Sequence, residues 1–143
     1  MPLIKATLEN GLRALFENPP LLEEACAAQW ASAMVAYATP IVPPSAAVAG
    51  AQGALQSALS GMSEPDALVG KLQAALTAFA GTVGGGMAPF VPTPPPVPCP
   101  LAFLQSLQTL SPDEAASQIA TAIDTWMKTG IATSPAGVAT SWS

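Results

Sequence analysis

Gln29–Tyr37 reads QWASAMVAY, and Gln118–Trp126 reads QIATAIDTW. Both obey one rule: Gln, large apolar, Ala, Ser or Thr, Ala, large apolar, two spacers, aromatic. The large residues, Trp30/Met34/Tyr37 and Ile119/Ile123/Trp126, are spaced i, i+4 and i+7, which places each set on one stripe of an α-helix. The alanines between them admit a neighbour at close range. Two readings stand side by side. Any Ala-rich amphipathic helix has this appearance. Alternatively the two helices are equivalent, and either pack as a pseudo-symmetric pair or each grip an equivalent surface. On the second reading Trp30, Met34, Tyr37, Ile119, Ile123 and Trp126 are protein-interface residues, with Gln29 and Gln118 hydrogen-bonding at the interface edge.

Working outward, the pattern predicts an all-α fold: a single domain over residues 1–143, an irregular bundle of five to six helices. The stripe Leu8, Leu12, Leu15, Phe16 defines a first helix from Pro2 to Glu17. Asn18 caps a second, which runs to about Thr39 and stops before Pro40, because the residue before a proline is pushed out of helical geometry. A third opens at Ser45, carries Val48, Leu55 and Leu59, and closes at Gly61. Ser63 and Asp66 make a capping box for a fourth, faced by Leu68, Leu72, Leu76 and Phe79 and ending near Gly81. LAFLQSLQTL at 101–110 is a short fifth helix. Ser111 and Glu114 make a second capping box, with Pro112 at the first helical position. Gly130 is placed to end the last helix in a left-handed cap.

Two stretches escape this pattern: 84–100, a Gly/Pro-rich arm, and 131–143, an extended tail of Thr, Ser and Ala. Phe90, Val91, Val97, Ile131, Val138 and Trp142 offer apolar side chains at intervals along them. Phe90 and Trp142 therefore join the predicted interface residues. Both arms are expected to lie on a neighbouring subunit, ordered in an assembly and mobile in the free chain.

Composition narrows the function. Charged residues are 9% of the chain, against about 25% in an average domain, which favours either a membrane setting or a large protein interface. Net charge is −5 with no basic cluster, so nucleic acid is not an expected partner. Histidine is absent, removing the commonest general base and transition-metal ligand. No nucleophile–base pair, phosphate loop or dinucleotide fingerprint occurs. The acidic pairs Glu23/Glu24, Glu64/Asp66 and Asp113/Glu114 sit at helix starts, where negative charge meets the positive helix end. No catalysis, cofactor or metal is expected. Cys26 and Cys99 are either two buried thiols or one disulfide, which spacing cannot decide. The uncharged stretches 25–63 and 72–112 are long enough to span a bilayer, but Pro40, Pro43, Pro44 and Gly84–Gly86 interrupt them, and such breaks leave backbone groups unsatisfied in hydrocarbon. The N-terminal segment carries Glu9, Asn10 and Arg13 where a signal peptide needs an apolar core.

ATPIVPPS (38–45), FAGTVGGGMAPFVPTPPPVP (79–98), AIDTWMKTGIAT (122–133) and the closing SWS together resemble small Ala- and Pro-rich structural proteins of tailed-phage particles. The resemblance implies a virion component of the neck, tail or baseplate, made in the host cytoplasm. Its partners would be other virion structural proteins and further copies of itself, in a symmetric assembly without membrane. It carries over no functional residue. The competing class is a small membrane-active, holin-like lysis protein.

Overall fold

The computed structural model describes residues 3–18, 23–59, 65–95, 99 and 111–143. Helices dominate them: α1 (Lys5–Glu17), α2 (Glu23–Ala38), α3 (Ala51–Leu59), α4 (Pro65–Gly85) and α5 (Pro112–Met127). The all-α expectation needs one correction. Strands β1 (Val91–Thr93), β2 (Ile131–Thr133) and β3 (Ala139–Ser141) form an antiparallel sheet in the order β1-β2-β3.

α1 lies between α2 and α5. It runs antiparallel to α2, because Phe16 meets Trp30 edge-to-face at 6.2 Å while Gly11 comes so close to Ala33 that an added Cβ would sit 2.8 Å from the alanine's own. It also runs antiparallel to α5, since Arg13 pairs with Asp113 and Lys5 donates to Thr121. The two helices that carry the doubled stretch therefore point the same way, with α1 between them. α3 packs on α2, α4 on α3, and β1 on α4. One core joins all five helices and the sheet.

Several boundaries differ from the sequence reading, each for a local reason. α5 begins as expected: Ser111 Oγ accepts from Glu114 N–H at 3.3 Å, and Glu114 Oε2 accepts from Ser111 N–H at 3.4 Å. α3 starts at Ala51, not Ser45, because Ser45 is used elsewhere. Its hydroxyl donates to the carbonyl of Val83, and Ala46 N–H donates to Gly86 O at 3.0 Å, which fastens the α2–α3 connection onto the end of α4. α4 continues through Gly84 and Gly85, past the expected stop at Gly81. Asn18 closes α1, donating its N–H to Ala14 O. Gly130 is not a left-handed cap: among the described residues Gly137 is the one glycine with positive φ, and α5 ends at Lys128 in right-handed geometry. The short helix at 101–110, the Ser63 cap and residues 96–98 of the arm lie outside the described residues.

Neither predicted arm is free. The 84–100 stretch supplies the end of α4, strand β1 and the buried Cys99, whose carbonyl accepts from Gln73 Nε2 at 2.7 Å. The 131–143 stretch is a β-hairpin. Ser134–Pro135–Ala136–Gly137 forms its turn, closed by Gly137 N–H to Ser134 O at 2.8 Å and by Ser134 N–H to Val138 O at 2.9 Å. Ser at the first turn position, Pro at the second and Gly at the fourth is the composition of a type I turn. Residues 84–90, expected as extended arm, are the end of α4 and turns, while Val91–Thr93 of the one stretch and Ile131–Thr133 of the other pair as strands instead of waiting for a neighbour.

Candidate interaction surface

The two copies of the doubled stretch bury matching positions. Trp30/Ile119, Ala31/Ala120, Met34/Ile123 and Tyr37/Trp126 are all inside, while Gln29/Gln118, Ser32/Thr121 and Ala36/Thr125 are all exposed. Ser32 accepts from Gln52 of α3 and Thr121 from Lys5 of α1, both at 3.4 Å, so the small hydroxyl of each copy meets an adjacent element. The copies diverge where Val35 corresponds to Asp124.

That divergence carries the main buried polar contact. Tyr37 Oη donates to Asp124 Oδ1 at 2.8 Å, tying α2 to α5, and Lys128 Nζ donates to Asp124 Oδ2 at 2.9 Å. Asp124 is the one buried charged side chain among the described residues, and its two partners satisfy both oxygens, as a buried carboxylate requires. Burial, reinforced by the bond to Asp124, raises the Tyr37 hydroxyl well above the usual tyrosine range. Asp124 was not singled out in the sequence. Its signals were a charge at an otherwise apolar helix position and a lysine four residues on. Among the described residues its hydrogen-bonding partners are the Tyr37 phenol and the Lys128 side chain.

Of the predicted interface residues, Trp30, Met34, Tyr37, Ile119, Ile123, Trp126 and Trp142 are buried in the chain's own core, and Phe90 is half-buried against it. The structure brings them together as internal packing, so none of the seven buried residues offers a surface to a partner in this fold. Cys26 and Cys99 are not joined in a disulfide, so that alternative does not hold. Cys99 is enclosed, and burial pushes its thiol up to about 12, leaving it protonated and inert. No group of three or more His, Cys, Asp or Glu among the described residues is placed to hold a metal ion.

Three of the four exposed large apolar side chains among the described residues lie on the sheet or its hairpin, the fourth being Ile4 at the start of α1. The register pairs Val91 with Thr133 and Ala139, and Thr93 with Ile131 and Ser141, and these residues share the outer face because strand side chains alternate. Val91 is 64% exposed, Ile131 38% and, at the hairpin turn, Val138 61%. No charge interrupts this face. Its edges are blunted. Proline at 92 removes a donor from β1, and beyond β3 the backbone of Ser143 exchanges hydrogen bonds of 2.7 and 3.1 Å with Val42, after which Pro43 and Pro44 stop the ladder. The surface offers a face and not a strand edge. Comparison with protein families, curated proteins and solved structures found no match to this chain.

Proposed function

We propose that this chain is a structural or adaptor subunit of a larger protein assembly and, on its resemblance to such proteins, of a tailed-phage particle. The observation that carries the proposal is the uncharged outer face of the sheet, with Val91 and Ile131 turned to solvent. Depletion of charge, with exposed aliphatic side chains among small polar ones, is the character of the central part of a protein interface. The chain-wide scarcity of charge supports the same reading. Docking is assigned to this face, with Gln29 and Gln118 free to contribute from exposed helix positions. The lysis-protein alternative has less support, because no helix among the described residues is long and apolar enough to cross a membrane.

The test is a double substitution, Val91→Asp with Ile131→Asp, which places two charges on the face without touching the core. The subunit reading expects an unchanged circular dichroism spectrum and loss of co-sedimentation with purified particles. Co-sedimentation at the wild-type level would contradict it. Recovery of the wild-type chain with membranes and not with particles would favour the lysis protein.

A further inference from the structure

We infer that residues 131–143 form a releasable strap, latched to the helical body by the Trp142 side chain and able to open as one unit while the helices stay folded.

Three independent observations place the latch. The first is the seat of the indole. Gly84, in the last turn of α4, and Gly130, just after α5, leave room for the Trp142 ring. A Cβ on Gly84 would stand 3.2 Å from the ring, and one on Gly130 would overlap it, 2.6 Å from Cε3. Gly130 has no positive φ to explain it, so its lack of a side chain is explained by the ring. The second is the backbone on either side of the plug. Trp142 N–H donates to Gly130 O at 2.8 Å, and Ser143 pairs in both directions with Val42. The final two residues thus join the exit of α5, the end of α4 and the exit of α2. Among the described helices α4 packs chiefly on α3, α3 on α2 and α2 on α1, and the plug adds a link from the end of α4 to the exits of α5 and α2.

The third is how little else holds the strap. Between Ile131 and Ser143, Ala132 and Trp142 are buried while residues 135–141 are all exposed. The strands are three residues long, and pairs this short have marginal stability of their own. The indole N–H is itself buried with no hydrogen-bond partner among the described residues, so the plug is held by shape and apolar contact. Segments with few buried contacts and exposed backbone hydrogen bonds open below the global unfolding free energy, as cooperative units. A single aromatic anchor makes the unit all-or-none: with the ring seated, the hairpin lies against β1, and with the ring out, Ala132 is the one buried side chain left beside exposed backbone pairing.

The test is amide hydrogen exchange with limited proteolysis, on wild type and on two variants that attack the latch from opposite sides. Trp142→Ala removes the plug. Gly130→Ala keeps the plug and fills its seat. Each is expected to lower protection of the Ser134, Val138 and Ser143 amides by about tenfold or more while the amides of α1 and α2 keep wild-type protection. Cleavage should move to the 134–139 segment. Wild-type protection of the strap in either variant would overturn the latch. Loss of helical signal in both would overturn the claim that the strap opens separately.

Discussion

The α1–α2–α5 layer and the C-terminal hairpin are built on opposite plans. In the layer, burial is spread: Leu8, Leu12 and Leu15 of α1, Trp30, Met34 and Tyr37 of α2 and Ile119, Ile123 and Trp126 of α5 are all buried in one core, and a buried tyrosine–carboxylate bond adds direction. In the hairpin, Trp142 is the one large buried side chain, Ala132 is buried beside it, and residues 135–141 face solvent. The difference shows how a chain poor in large residues distributes them. Alanine buries little area at roughly 25 cal/mol per Å², so the few aromatics go where helices cross, and an accessory sheet must make do with one. The same economy leaves the sheet's outer face available.

Substitutions can break the comparison. The largest effect is expected at the doubled stretch. Trp30→Ala and Trp126→Ala should each lower the unfolding free energy by about 3–5 kcal/mol, read as a fall in the denaturation midpoint of the helical signal. A neutral result at both would place the rings outside the core. Tyr37→Phe keeps the ring but removes the donor to Asp124; because the acceptor is charged, about 1.5–3 kcal/mol should be lost. Lys128 still pairs with Asp124, but its side chain is 43% exposed, so it compensates only weakly.

A pH titration sharpens the contrast. Tyr37 and Cys99 both have raised folded-state pKa values. The folded chain therefore holds protons that the unfolded chain has released. Their contribution to stability is complete below the unfolded values, about 8.5 for Cys and 10 for Tyr, and is lost as pH rises through and beyond them. Alkaline destabilisation should begin near the thiol value, and Cys99→Ala should delay it to the tyrosine window. An onset unchanged in that variant would remove Cys99 from the account. The smallest effect is expected on the sheet: Val138→Thr should change stability by no more than about 0.5 kcal/mol, since its side chain is 61% exposed.

How much could be read from the sequence follows the same division. α1, α2 and α5 were visible because their apolar period is carried by large residues over several turns, and the Ser111–Glu114 box marks a start by local chemistry alone. The function of the doubled face was open, because a stripe that packs on its own chain and one that packs on a partner have the same spacing. The hairpin was missed for want of length: three-residue strands show no alternation, although Ser134-Pro135-Ala136-Gly137 between two β-branched runs was a usable turn signal. Ser45, Asp124 and Gly130 were misassigned or overlooked because their partners, Val83, Tyr37 and Trp142, are distant in the chain. Local rules offered each a plausible local role.

Native-state hydrogen exchange on the wild-type chain tests this two-tier account most directly. Backbone amides of α1, α2 and α5 should open only with global unfolding, and their exchange should follow the denaturation free energy. The hydrogen-bonded amides of Ser134, Val138 and Ser143 should exchange together, through an opening that exposes less surface and depends weakly on denaturant. If those strap amides exchange at the same free energy and with the same denaturant dependence as Leu12 and Met34, the hairpin is part of a single cooperative core and the account is wrong.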